Sequence, residues 1–270
     1  MNKNRDEILS ILKKDLNDLK YQNEKIINDI NYIEELLKKE SKIDNEHICP
    51  ICGYKSEFLP LNAQYPNEIV RCPKCKSLHR HRLIFLLFAK KFKHLLDNPI
   101  KLLHFAPEPC LYNFFREKEN IDYYPVDINP EGYKSRNIFI RCKVNMENIP
   151  YEDNNFDVIY NSHVLEHVPK DIQAMAELRR VLKPNGVCFI MVPMSGNQET
   201  LEKEEYNTPE LRLKYYNQED HLRFYGKDFR NRLASVGFNV QELRAEDIVN
   251  SEEMELYGIS QWDKVFICKK

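Results

Sequence analysis

Along residues 156–193 the spacing of apolar and polar positions changes twice. Residues 156–160 (FDVIY) and 187–192 (VCFIMV) are short, nearly continuous apolar runs. Between them Ile172, Met175, Ala176, Leu178, Val181 and Leu182 recur at the spacing of one helix face, and Lys183-Pro184-Asn185-Gly186 stops it. Two apolar strands joined by an amphipathic helix predict a βαβ crossover in a parallel sheet buried on both faces. Ligands of such sheets sit beyond the carboxyl ends of the strands, so Asn161, Ser162, His163, Glu166 and His167 are expected to face a site.

The same patterning extends in both directions. Residues 101–105 (KLLHF) and 123–127 (YYPVD) read as two earlier strands, 226–236 as a helix, and 238–243 and 264–268 as closing strands. Residues 195–218 are polar and rich in Glu and Tyr, either an acceptor-binding cover that Tyr206, Arg212, Tyr215 and Tyr216 line or a surface excursion. At the other end Leu9, Leu12, Leu16, Leu19, Asn23, Ile26, Ile30, Ile33 and Leu37 alternate in steps of three and four. That is a heptad seam, and Asn23 at a central position would set the register of a parallel two-stranded coil. It predicts a homodimer, against the alternative of a long helix packed on its own domain.

Composition narrows the class. A chain of 270 residues has room for one α/β domain and something smaller, and 42% hydrophobic with 30% charged residues suits a globular fold. A net charge of −2 supplies no overall field for nucleic acid or a membrane surface. No apolar run is long enough to span a bilayer and no signal-peptide core follows the first residues, so a cytoplasmic protein is expected. Cys49-Pro-Ile-Cys52 and Cys72-Pro-Lys-Cys75 place four thiols on two tight turns, the pattern of a closed structural Zn²⁺ site. The expected organisation is a coiled-coil helix over 1–45, a zinc ribbon over 46–82 and an α/β domain over 83–270. From Arg71 to Lys93 there are eight Lys or Arg and no Asp or Glu. This is the solvated face of a helix, or an anion site in which Arg80 and Arg82 clamp a phosphate or carboxylate, or a nucleic-acid patch.

The words FDVIYNSHVLEHV, ELRRVLKPNG and the strand ending in VP resemble the class I S-adenosylmethionine-dependent methyltransferases, from about residue 100 to the C-terminus. CPICG, SLHRHR, the LHFAPE turn and DHLRFYG look like a branch of that family that bears a zinc ribbon. The resemblance implies a Rossmann-like seven-stranded sheet with an antiparallel last strand, and S-adenosylmethionine as cofactor. Where the family carries an acidic residue and a glycine-rich turn, this chain has His104 and then Ala106, Glu108 and Cys110. By the resemblance Glu108 would meet the methionine amino group, Asp127 the ribose, Asn145 and Met146 the adenine, with Asn161 beside them.

Two chemistries are open for the residues after the fourth strand. In one, His163 or His221 is a general base oriented by Asp220 or Glu166. In the other, His163, Glu166, His167 and His221 hold Mg²⁺ or Mn²⁺, similar to the cluster of the small-RNA 3′-terminal ribose methyltransferases. Arg80, Arg82, Arg223 and Tyr225 are the expected acceptor contacts. The expected activity is O-methylation of a small polar acceptor, such as a sugar or a phosphorylated or nucleotide-linked glycan precursor. RNA methylation and a non-catalytic zinc-ribbon scaffold are the alternatives.

Overall fold

The computed structural model describes residues 46–61 and 68–270. The heptad seam, and with it the expected dimerisation, lies outside the described residues. Residues from Glu46 to Lys270 pack as one unit.

Two small antiparallel ribbons begin this unit. β1 (Glu46–Ile48) pairs with β2 (Lys55–Glu57), and β3 (Leu59–Pro60) with β4 (Ile69–Arg71). Their shared core is Cys49, Cys72 and Phe58. α1 (His79–Lys91) and the short α2 (Lys93–Asp97) follow. α1 runs unbroken across position 82, so the expected boundary there falls inside a helix that the ribbon and the larger domain share. Leu83, Ile84, Leu87 and Phe88 are buried, and His81 and Arg82 with them. The basic stretch is therefore not one solvated face.

The central sheet has seven strands: β5 (Ile100–Phe105), β6 (Ile121–Asp127), β7 (Cys142–Lys143), β8 (Phe156–Ser162), β9 (Leu182–Met191), β10 (Asn239–Arg244) and β11 (Lys264–Lys269). Their order is β10-β11-β9-β8-β5-β6-β7, with β11 antiparallel to both neighbours and the β9-β8-β5-β6-β7 pairings parallel. Helix α3 (Pro109–Arg116) connects β5 to β6, and α4 (Asp171–Val181) connects β8 to β9. The predicted crossover is thus present, with β9 starting directly at Leu182 behind a bulge opposite Phe156 and Val158.

Strand alternation divides the core between two faces. Leu103, Phe105, Ile159, Cys188 and Ile190 pack with Met175 and Leu178 of α4. Leu102, Val158, Tyr160, Val187 and Phe189 pack on the other face with Leu83 and Leu87 of α1. Burial on both sides explains why these strands read as apolar runs. α5 (Pro209–Tyr216), α6 (Phe229–Ser235) and α7 (Ser251–Tyr257) complete the unit. Among the described residues no helix is long and apolar enough to cross a membrane. The strand order reverses at β5, with β6 on one side and β8 on the other, which opens a crevice at the carboxyl ends.

Candidate cofactor cavity and histidine cluster

A cavity of about 370 Å³ lies in that crevice, within the roughly 300–1,000 Å³ range of small-molecule sites. Phe105 and Ala106 from the end of β5 line it, with Asp127 and Ile128 after β6, residues 144–147 after β7, and Val164 and His167–Pro169 after β8. Ala106 has φ 49°, a left-handed backbone that glycine adopts more readily. The turn therefore keeps the backbone course of a glycine loop without a glycine. Asp127 accepts from the Asn129 amide at 2.6 Å and the Tyr133 hydroxyl at 2.9 Å. Each carboxylate oxygen keeps a further lone pair for an incoming hydroxyl. At the end of β8 the Asn161 amide is fully buried, and neither its Oδ1 nor its Nδ2 has a protein partner. Asn161 is not among the residues that line the cavity. The cavity's residue set fits S-adenosylmethionine: a turn with a left-handed Ala106, a carboxylate at the β6 end, and Asn145 and Met146 in the lining.

His104 and Glu108 are placed differently from the expectation. His104 is fully buried and does not reach the cavity; its ring bonds the Tyr123 hydroxyl at 2.8 Å and Glu108 at 3.0 Å. Glu108 also accepts from the Tyr160 hydroxyl at 3.2 Å and faces the His81 ring at 3.5 Å. Burial works against its ionisation, yet the His81 and His104 rings outweigh it and hold the carboxyl down to about 2. Burial pushes His81 down to about 3, against the pull of the same carboxylate. The spacing of Tyr123, Tyr160 and His81 gave no sign of this buried network, which joins α1, β5, β6 and β8.

The residues after β8 form a single 3₁₀ turn over Leu165–His167, preceded by His163 at φ 55°. Three imidazoles converge on Glu166. His163 Nδ1 is 3.5 Å from Glu166 Oε1, and the Nε2 atoms of His167 and His221 are each 4.0 Å from it. Glu166 is fully buried, and neither carboxylate oxygen has a hydrogen-bond partner. Burial pushes its carboxyl up to about 8. Asp220, expected to orient His163 or His221, pairs instead with His167 Nδ1 at 3.3 Å.

Arg223 and Tyr225, expected to touch the acceptor, build the support for this cluster. The Arg223 guanidinium is buried and donates to the carbonyls of Leu165, Val168 and Pro169 and to Glu202. Tyr225 donates its buried hydroxyl to Leu165 O and Asp171. Together with the Leu222 amide on Glu166 O at 2.8 Å, they clamp residues 221–225 beneath the 165–169 turn. His221 is brought to Glu166 by these bonds.

Arg82 is a second correction. It is fully buried and donates to the carbonyls of Val70, Ser77, Tyr257 and Gly258, so it fastens the ribbon rather than an anion. Arg80 lies beside it, half-buried, with its Nε shielded and unpartnered. Tyr216 is buried with its hydroxyl on the Lys203 backbone, and Tyr206 stacks on Tyr215 at 4.0 Å. The four ribbon sulfurs lie within 4.8 Å of one another, with Cys49–Cys75 at 3.5 Å and Cys52–Cys72 at 3.7 Å. Tetrahedral Zn²⁺ with bonds of about 2.3 Å would hold its sulfurs about 3.8 Å apart, so this spacing fits the ion.

An open, mostly parallel seven-stranded sheet with a ligand crevice at its switch point defines a Rossmann-like α/β protein. Residues 111–190 match the family model described as methyltransferase domain. Over those residues the chain is thus similar to methyltransferases. It is similar to sterol 4-C-methyltransferase strm-1 of Caenorhabditis elegans, 33% identical over 86 residues, which are 30% of this chain and 26% of that one. It is also similar to the uncharacterized protein MJ0638 of Methanocaldococcus jannaschii, 39% identical over 61 residues, 23% of this chain and 25% of that one. The chain thus spans about a quarter of the length of these curated relatives. A solved SAM-dependent methyltransferase from Archaeoglobus fulgidus superposes with a TM-score of 0.47 at 15% identity, over 69% of this chain and 93% of that one.

Proposed function

We propose that this chain transfers a methyl group from S-adenosylmethionine to an oxygen of a small polar acceptor, with Cys49, Cys52, Cys72 and Cys75 holding a structural Zn²⁺. The cavity at the strand ends carries the reading, because Ala106, Asp127, Asn145, Met146 and His167 all line it. Bound in it, S-adenosylmethionine would supply an electrophilic methyl carbon. Asp127 would hold the ribose hydroxyls, and Asn145 and Met146 the adenine. The chain's remaining task is to align the acceptor oxygen and take its proton, since alignment supplies much of the rate of such a transfer. His163 is the candidate proton acceptor, with His221 in that role only where its Nε2 holds no ion. An acceptor with a phosphate, such as a phosphorylated or nucleotide-linked sugar, suits the cationic Arg80 side chain, which is only partly buried.

Calorimetric titration of S-adenosylmethionine into the full chain tests the reading. Saturable one-to-one binding is expected, weakened at least tenfold in Asp127→Asn. Absence of binding, or equal affinity in the variant, would overturn it.

A further inference from the structure

We propose that Glu166, His167 and His221 form a binding site for a divalent transition-metal cation, separate from the ribbon's four cysteines. Their ligand atoms lie within 4.8 Å of one another. Both Nε2 atoms stand 4.0 Å from the same carboxylate oxygen. That is too long for a hydrogen bond. Ligands about 2.0–2.2 Å from one ion lie about 3.3–3.6 Å apart in a tetrahedral shell, so the three side chains would draw together by roughly half an ångström or more around it.

Two further observations point to an ion. Glu166 is wholly buried, and neither of its oxygens has a hydrogen-bond partner. A carboxylate in that state is costly unless a cation or donor meets it. The outer nitrogens of both rings are already engaged, His167 Nδ1 by Asp220 at 3.3 Å and His221 Nδ1 by the Tyr216 carbonyl at 2.8 Å. Anchoring Nδ1 fixes the ring and turns the Nε2 lone pair inward, as the outer partners of metal-bound histidines do. The two rings are nearly perpendicular, 79° apart, so their lone pairs approach one centre from different directions.

Two imidazoles and one carboxylate suit Mn²⁺, Fe²⁺, Co²⁺ or Zn²⁺, whereas a four-thiolate site prefers Zn²⁺. Three protein ligands leave coordination positions open. Because His167 also lines the cofactor cavity, those positions would receive the acceptor's oxygen and lower the pKa of its hydroxyl. This last role rests on the methyl-transfer reading; the ion site itself does not.

The test is Mn²⁺ titration of the full-length, zinc-replete chain, followed by the electron paramagnetic resonance signal of free Mn²⁺ and by the thermal midpoint. Expected are one Mn²⁺ per chain, a rise in midpoint, and at least tenfold weaker binding in Glu166→Gln and in His221→Ala. Metal-free Glu166→Gln should melt no lower than the metal-free parent, because it replaces a buried carboxyl that makes no hydrogen bond by an uncharged amide of the same shape, so lost binding cannot be assigned to unfolding. Binding of no Mn²⁺, Co²⁺ or Zn²⁺ beyond the cysteine site, or undiminished Mn²⁺ binding by Glu166→Gln, overturns the proposal. Calorimetry with S-adenosylmethionine on the same samples separates the two readings. Cofactor binding without Mn²⁺ binding sinks only the ion site, and Mn²⁺ binding without cofactor binding supports the site while ending its assignment to methyl transfer.

Discussion

Arg82 offers a direct measure of how the ribbon is joined to the larger domain. Its side chain is fully buried and donates to four backbone carbonyls: Val70 and Ser77 on the ribbon side, Tyr257 and Gly258 beside α7, at 2.6–3.0 Å. The guanidinium carbon also sits 4.3 Å from the centre of the Phe58 ring. Burial pushes the group down to about 10, which leaves it charged at neutral pH. In Arg82→Ala four carbonyls lose a charged donor. At about 1 kcal/mol net for each, with partial rehydration of the vacated space offsetting some, and about 1 kcal/mol for the lost ring contact, the change should cost ~3–5 kcal/mol. For a unit of this size that lowers the melting midpoint by roughly 10 °C. Arg82→Lys keeps the charge but cannot span all four acceptors, so it should fall between. Urea unfolding followed by circular dichroism on zinc-replete protein measures both variants. An Arg82→Ala stability within about 1 kcal/mol of the parent would refute the view that this residue is a structural fastener.

Gly226 should resist substitution, since a Cβ there would lie 2.3 Å from the Glu199 carbonyl carbon and 2.4 Å from its oxygen. Backbone cannot yield as a flexible side chain does, so Gly226→Ala should lose at least ~2 kcal/mol, and an unchanged urea midpoint would contradict this contact. Glu108 makes a pH prediction. Its folded value of about 2 lies below the unfolded value of 4.5, so its contribution is present above about 4.5 and fades as pH falls toward 2. The full contribution is on the order of 3 kcal/mol. Unfolding curves between pH 6 and pH 3 should steepen less in Glu108→Gln than in the parent, and parallel curves would count against the buried network.

Much of the fold follows from local pattern. The βαβ unit over 156–193 was legible because a parallel strand buried on both faces needs a continuous apolar run, and one helix must return the chain. Asp127 was legible for a similar reason: an acidic residue closing an apolar run marks a strand end, and strand ends meet at the crevice. The CPxC pairs declared four clustered sulfurs, because each turn brings its two thiols together and only the pairing of the turns was left open. The sequence also foretold that His163, Glu166 and His167 would lie together, though not that His163 would stand outside the turn at a positive φ.

What the sequence by itself determined, then, was what neighbouring residues can settle among themselves. Spacing reports which residues share a face, and it is silent on what covers that face. The basic run around Arg82 has the same pattern whether its charges meet water, a phosphate or four carbonyls, and only the docking of α7 decided the matter. Arg223 and Tyr225 looked like acceptor contacts for the same reason and proved to be the clamp beneath the 165–169 turn. His104 stands at a strand end, yet its alternation put it on the buried face with Glu108, Tyr123 and Tyr160. The approach of His221 to Glu166 depends on bonds between segments far apart in sequence, and such contacts form only when the sheet has fixed where both segments lie.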